Sequence, residues 1–281
     1  MQAHVIGANG RSGAALTHAL LARGTALIPI IRNPAAWFLH HPTPRIAAIE
    51  SPALSEALHD ATNIVSCAHA RHIPAILAAS PPGAQFVFLG STRKYTRWPD
   101  AHGDGVLAGE RAFLAANCPG VLLHPTMIYG AQGEDNVQRL AALLRRLPII
   151  PLPAGGRALV QPVHQRDLTA AILAALDTTW STPETLVIAG PTPLPYAGFT
   201  RAIARAAHLK PPRIVPIPPA LLLALAPLTR LPFLPTIRTA EIRRLLEDKA
   251  FDITPARAKL GFTPMSLDAG LALTFGAPPC P

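Results

Sequence analysis

The run His4-Val5-Ile6-Gly7-Ala8-Asn9-Gly10-Arg11-Ser12-Gly13 decides how the rest of the chain is read. His4-Val5-Ile6 reads as a strand, glycines at 7, 10 and 13 make a turn, and Ser12 to Arg23 has helical spacing of its apolar residues. A phosphate-cradling turn needs this order. The first glycine permits the sharp turn, the second lets the backbone approach an anion, and the third lets the helix pack close to the strand. N–H groups at the helix start, assisted by the helix dipole, then face a pyrophosphate. The turn therefore predicts a bound dinucleotide, with Gly7, Asn9, Gly10, Arg11, Ser12 and Gly13 as its binding residues.

Working outward, Ala26 to Ile31 reads as a second strand that ends in Arg32-Asn33-Pro34. An acid at this strand end would accept hydrogen bonds from ribose hydroxyls, whereas an arginine suits a 2′-phosphate. Arg32, with Arg11 inside the turn, favours NADP(H), with NAD(H) as the alternative. The alternation continues with strands at 45–49, 63–67, 85–89 and 121–124 and helices at 54–59, 73–79 and 106–116. This pattern predicts an α/β fold, a Rossmann-type doubly wound parallel sheet.

Beyond Gly130 the alternation weakens. A helix at 137–147, a strand at 159–163, a helix at 167–176 and a strand at 186–188 precede a pattern of helix, proline turn and helix ending near Gly270. The division expected is a dinucleotide-binding domain over 1–130, rejoined by 157–190. A small C-terminal substrate domain would then comprise 131–156 and 191–281.

A chain of 281 residues with 49% hydrophobic and 15% charged residues can bury a full globular core. Its 32 prolines, several in pairs, punctuate elements without forming a repeat. The net charge of +9 favours an anionic small-molecule partner. The arginines are dispersed and aromatic residues make up only 5%, so no nucleic-acid stripe is present. Cys67, Cys118 and Cys280 form no disulfide framework and no C-x-x-C pair, which suits a reducing cytoplasm. His40-His41 and His69-x-x-His72 lack the partners of a metal site, so no metal is expected. The chain reads as a strand from its first residues, so no leader segment is expected. The weakly charged stretch 214–229 is broken by Pro216, Pro218, Pro219 and Pro227 and cannot span a membrane. It reads as a buried helix of the second domain, with peripheral membrane contact as the alternative.

The segments HVIGANGRSG, IIRNP, FLGST, LLHPTMIYG, LVQPVHQRDL and FDITPARAKLGFTP, in this order, carry a resemblance. The chain resembles the extended and atypical short-chain dehydrogenase/reductase superfamily, and more narrowly the NAD(P)-dependent epimerase/dehydratase proteins related to nucleotide-sugar enzymes. The resemblance runs from about residue 3 to 265. It implies a nicotinamide over the ends of the fourth to sixth strands, with Ala68 and His69 beneath the cofactor and Pro125 and Thr126 by the carboxamide. It also implies Ser91 and Thr92 by the reacting carbonyl, and Asn136, Arg157 and His164 in the substrate cleft. Arg157, after Gly155-Gly156, suits a diphosphate.

The chain departs from the resemblance at the reaction centre. The family's chemistry uses a tyrosine with a lysine four residues later, the lysine lowering the phenol's pKa for proton exchange. Here Tyr95 is followed at that spacing by Pro99, Tyr129 by Gly133 and Tyr196 by Thr200. Counting back from His124-Pro125 by the family's spacing puts Glu110 on the acid of the following helix, and the tyrosine and lysine places on His102 and Val106. His102 can shuttle protons, but valine cannot tune it. Relatives usually carry arginine at the place of His124. Tyr95 is a candidate acid, because Arg93 and Lys94 beside it would favour a phenolate, or it is a half-buried aromatic at a strand end. Two functions fit: an oxidoreductase or epimerase acting on a nucleotide-linked sugar or similar carbonyl compound by hydride transfer, or a redox-inactive dinucleotide-binding regulatory or accessory protein.

Overall fold

The computed structural model describes residues 1–130, 136–221 and 243–276. In chain order the first half runs β1 (Gln2–Ile6), α1 (Arg11–Ala22), β2 (Ala26–Ile31), β3 (Arg45–Ile46), α2 (Ala53–Ala57), β4 (Asn63–Ser66), α3 (Ile73–Ala79), β5 (Gln85–Leu89), α4 (Ala101–Ala116) and β6 (Gly120–Pro125). Then follow β7 (Ile128–Tyr129), α5 (Asn136–Arg146), β8 (Ile149–Pro153), β9 (Leu159–Val160), β10 (Val163–His164), α6 (Gln165–Asp177) and β11 (Pro183–Ile188). Among the described residues there follow β12 (Leu194–Pro195), α7 (Tyr196–Ala206), β13 (Arg213–Ile217), α8 (Thr254–Leu260) and α9 (Leu267–Phe275).

Seven parallel strands form the central sheet in the order β3-β2-β1-β4-β5-β6-β11. Such strands are buried on both faces, so they read as continuous apolar runs, of which Phe86-Val87-Phe88-Leu89 is the clearest. Alternate residues feed two cores. Val5, Val65, Val87 and Val121 pack with Leu16 and Leu20 of α1 and Leu168 and Ile172 of α6. On the other face Ile64, Phe86, Phe88 and Leu122 pack with Ile73 and Ile76 of α3 and Val106 and Phe113 of α4. The chain order reverses between β1, where His4 lies opposite both Ile28 and Ile64, and β4. In a doubly wound sheet this reversal opens a crevice at the carboxyl ends of the two strands, here beyond Ile6 and Ser66. The fold class is the one the alternation predicts.

Several boundaries differ from the sequence reading. The helix expected from Val106 begins five residues earlier, because the Asp100 carboxylate caps it, accepting from the N–H groups of His102 at 3.1 Å and Gly103 at 2.9 Å. The strand expected at 159–163 is divided into β9 and β10 around Pro162, and β3 stops at Ile46. The stretch from 214 begins as a strand, not a helix: β13 pairs in parallel with β8, Arg213 opposite Ile149 and Ile217 opposite Pro153. Prolines hide both strands in the sequence, yet a two-stranded pair tolerates them because each strand has an edge needing no donors. Residues 222–229 of that stretch, and Cys280, lie outside the described residues.

Beyond β6 a third core gathers Tyr129, Val137, Ala141, Ile150, Leu152, Phe199, Ile203 and Leu271. Among the described residues no helix is long and apolar enough to cross a membrane.

Candidate functional site

The crevice at the switch point is floored by the glycine turn. Gly7 takes φ +74°, donates its N–H to the Ile30 carbonyl at 3.0 Å and accepts from the Gly10 N–H at 2.9 Å. Gly10 stands at the start of α1 in an extended conformation and brings no side-chain cap, so the first N–H groups of the helix point out of the turn without a capping side chain. At Gly13 a Cβ would lie 2.0 Å from the Gly7 carbonyl oxygen, so only glycine lets α1 come this close to β1. The Ser12 hydroxyl donates to Gln165 Oε1 at 3.3 Å, which leaves its backbone N–H as the group it offers an anion. An open cradle of backbone donors at a helix start fits a pyrophosphate. The Ala68 N lies 3.5 Å from where a Gly7 Cβ would stand, so the chain after β4 forms the neighbouring wall. Cys67 in that wall is half-buried, and desolvation pushes its thiol up to about 12 and leaves it un-ionised. Arg32 is exposed at the end of β2, with no ion-pair partner among the described residues; Arg11 is exposed on the first turn of α1.

The other end of the crevice is built by the loops after β4, β5 and β6. His69 follows β4, His102 stands on the first turn of α4, and their rings meet edge to face with Nε2 of His69 3.2 Å from Nδ1 of His102. Burial, and then His102, Arg71 and His72, hold His69 down at about 4. Val106, at the expected lysine place, is buried in the core. The Ser91 Oγ accepts from the Arg93 N–H at 3.2 Å, and among the described residues its own proton has no acceptor. Thr92 is committed: its hydroxyl donates to the Pro125 carbonyl at 3.3 Å and ties the loop to β6. Thr126 likewise donates to the Gln161 carbonyl at 2.6 Å, while its N–H bonds the Ile188 carbonyl at 3.0 Å.

Tyr95 is 54% exposed, its ring 5.6 Å from that of Phe251. The cations expected to favour its phenolate are engaged elsewhere. Arg93 binds Asp100, with Nε 2.8 Å from Oδ2, and the Lys94 ammonium reaches Glu110 and His124 while passing 4.8 Å over the face of the Tyr95 ring.

Of the residues assigned to the substrate cleft, the structure brings Asn136 and His164 together at β7 and places Arg157 apart. Asn136 donates to the Ile128 carbonyl at 3.0 Å. His164 is buried, accepts from the Arg166 N–H at 3.2 Å and lies edge-on to Tyr129. Burial lowers its pKa. Arg157 is exposed on a turn whose Gly156 packs 3.0 Å, at its would-be Cβ, from the Ala197 N.

A segment the sequence reading did not single out closes over this region. Glu247 is buried and accepts from the Thr96 hydroxyl at 2.9 Å and the Arg97 N–H at 2.5 Å; Asp248 accepts from the Leu159 N–H at 2.8 Å; the Phe251 N–H donates to Gln161 Oε1 at 2.8 Å. These contacts join residues some 90 to 150 positions apart and leave no local signal. Among the described residues no cluster of three or more His, Cys, Asp or Glu could hold a metal ion.

No protein-family model matches the chain, and no curated protein matches it in sequence. Its backbone is similar to that of UDP-glucuronic acid 4-epimerase from Bacillus cereus in complex with NAD, with TM-score 0.75, 16% identity, and 98% of this chain and 97% of that one covered. It is similar to UDP-glucose 4-epimerase from Thermotoga maritima with UDP-glucose, with TM-score 0.74, 17% identity, and coverage of 98% and 97%. A short-chain dehydrogenase/reductase superfamily protein from Agrobacterium tumefaciens with bound NAD matches with TM-score 0.71, 17% identity, and coverage of 96% and 94%. The chain thus has the Rossmann-type fold of the extended short-chain dehydrogenase/reductases.

Proposed function

We propose that the chain binds NADP(H) in preference to NAD(H) and acts as an oxidoreductase or epimerase on a nucleotide-linked sugar or a similar carbonyl compound. The observation that carries this is the uncapped start of α1, which meets the Gly7–Gly13 turn at the point where the strand order reverses. In this reading the backbone from Gly7 to Gly13, with Asn9, Arg11 and Ser12, holds the pyrophosphate and Arg32 holds the 2′-phosphate. Ala68 and His69 would lie beneath the nicotinamide, and Pro125 and Thr126 would hold its carboxamide. The dinucleotide, when bound, supplies or accepts the hydride. Ser91 would give a hydrogen bond from its unused hydroxyl donor to the reacting oxygen, with Thr92 keeping the loop against β6 and His102 and Tyr95 flanking it. Asn136, Arg157 and His164 belong to the side that holds the substrate, within a small domain of 131–156 and 191–281 set against 1–130 and 157–190. Solved structures with this fold include complexes with NAD and with UDP-glucose. Free Cys67 and Cys118 accord with a cytoplasmic setting.

A second reading, a redox-inactive dinucleotide-binding protein, is favoured by one observation: Val106 fills the lysine place, so nothing there lowers a donor's pKa. Titrating the purified protein with NADPH and NADH by nicotinamide fluorescence, then following oxidation with a panel of keto-sugar nucleotides, separates the two. Binding with turnover supports the enzyme, binding without turnover on any substrate supports the second reading, and no binding overturns both.

A further inference from the structure

One backbone amide fixes where the protons sit in the His69–His102 pair. The Arg71 N–H donates to Nδ1 of His69 at 3.0 Å, so this nitrogen carries a lone pair. A neutral imidazole has its proton on the other nitrogen, so His69 carries it on Nε2, 3.2 Å from Nδ1 of His102. Nδ1 of His102 is then an acceptor, and the neutral His102 ring holds its own proton on Nε2. Among the described residues nothing accepts from that Nε2–H, and the side chain is exposed at the start of α4. The approach of the two rings is built into α4: at Gly105 a Cβ would lie 2.9 Å from Cε1 of His69.

We propose that His69 locks His102 as a neutral hydrogen-bond donor, whose Nε2–H is offered to a substrate oxygen, a carbonyl or the alkoxide derived from it, without exchanging a proton with it. His69 is a positioning residue and His102 the group that meets the ligand. Only the identity of that ligand rests on the function proposed above.

Protonating His102 would set an Nδ1–H against the Nε2–H of His69. The charges around the pair oppose it as well. Arg71 and His72 face His69, while Arg71, Arg93 and Arg244 face His102. The one carboxylate near His102, that of Asp100, is already bound by Arg93 and stands 3.8 Å from Arg244. Loss of solvent where the two rings pack together lowers the pKa of both before these charges act. A neutral imidazole in such a place polarises an oxygen as a donor, because giving up its last proton would require an imidazolate.

Long-range 1H–15N correlation spectra of histidine-labelled full-length protein, recorded with and without NADPH, read the tautomers directly. Both rings are expected to be neutral with the proton on Nε2 at neutral pH, and to protonate only below the range of an ordinary histidine. His69→Ala should release His102 into mixed tautomers that titrate nearer the ordinary value of about 6.5. His69→Gln, whose amide can accept from the Arg71 N–H and donate to His102, should restore the lock. A proton on Nδ1 of His102 at neutral pH, or identical titration in wild type and His69→Ala, overturns the proposal. So does a histidine inflection in the pH profile of kcat that vanishes in His102→Gln. The stated tautomers without NADPH binding in the same samples support the lock and overturn the dinucleotide reading.

Discussion

The Lys94 ammonium lies 2.5 Å from the Glu110 carboxylate, and both side chains are shielded from solvent, 6% and 16% exposed. His124 completes the cluster, its Nε2 3.0 Å from the same carboxylate oxygen and 3.2 Å from Nζ of Lys94. Three elements meet there: the loop after β5, the middle of α4 and the end of β6. The cluster therefore fixes Ser91 relative to His102. The resemblance places an arginine at 124, where one residue would supply the cation for the acid. In this chain a lysine from another element supplies it, and His124 packs under Gly90, whose Cβ would stand 2.4 Å from its Nδ1.

Removing the carboxylate leaves the lysine charge buried without its partner, the costly way to break such a pair. Glu110→Gln is expected to cost about 3–5 kcal/mol of unfolding free energy. The double variant Lys94→Met/Glu110→Leu removes both charges and should cost distinctly less. Urea unfolding with an unchanged m-value measures both. A double variant as unstable as Glu110→Gln would show that packing, not charge, holds the loop.

The same carboxyl sets an acid limit. Burial pushes Glu110 up, but hydrogen bonds from His124 and Lys94 outweigh it and hold the group at about 2, against 4.5 for the free side chain. A depressed folded-state pKa gives stability that is fully present above pH 4.5 and fades as pH falls toward 2. Asp100, bound by Arg93 and also held at about 2, acts in the same window. Melting temperatures of wild type and Glu110→Gln should therefore converge as the pH is lowered from 5 to about 2.5. A gap that stays constant across that range would contradict the assignment.

The sheet was legible because parallel strands buried on both faces are apolar throughout, and the turn because its three glycines follow a strand and precede a helix. What escaped lay in contacts between distant residues. His69 and His102 were each legible as positions near the cofactor, but nothing in the sequence shows that their rings meet across 33 residues. Lys94 reads as a partner of Tyr95 because they adjoin, and its ammonium does pass over that ring, but nothing local shows that it also reaches Glu110 of α4. Gly103 and Gly105 disguise the first turn of α4, and Pro151, Pro153 and Pro216 disguise β8 and β13. Glu247 had no signal, since its partners Thr96 and Arg97 lie about 150 residues earlier in the chain.

The approach of α1 to β1 makes Gly13 the sensitive point of the turn. With the added methyl 2.0 Å from the Gly7 carbonyl oxygen and 3.0 Å from Cα of Ala8, both backbone atoms, no side-chain rotation relieves Gly13→Ala. The turn must open, and the N–H groups of the helix start move away from a common anion site. Dinucleotide affinity is expected to fall at least about 10-fold, equivalent to one lost charge-assisted hydrogen bond. Nicotinamide fluorescence titration checks it; unchanged affinity in a folded Gly13→Ala protein would remove the turn from the binding site.

Arg32 offers the opposite case, a residue whose replacement leaves the fold alone and alters only the ligand preference. It is exposed at the end of β2, and the neighbouring turn is secured by Asn33, whose side chain accepts from the Ala35 N–H at 3.1 Å. Exposed charge changes of this kind shift stability by no more than about 0.5 kcal/mol. A guanidinium facing a 2′-phosphate contributes charge-assisted hydrogen bonds worth about 1.5–3 kcal/mol, so Arg32→Asp should weaken NADPH by about 10- to 100-fold. The new carboxylate can accept from the ribose hydroxyls of NADH, whose affinity should hold or rise. The ratio of the two Kd values, measured by fluorescence, is therefore the quantity that moves. Equal loss for both cofactors would mean that Arg32 holds the adenosine end without reading its phosphate.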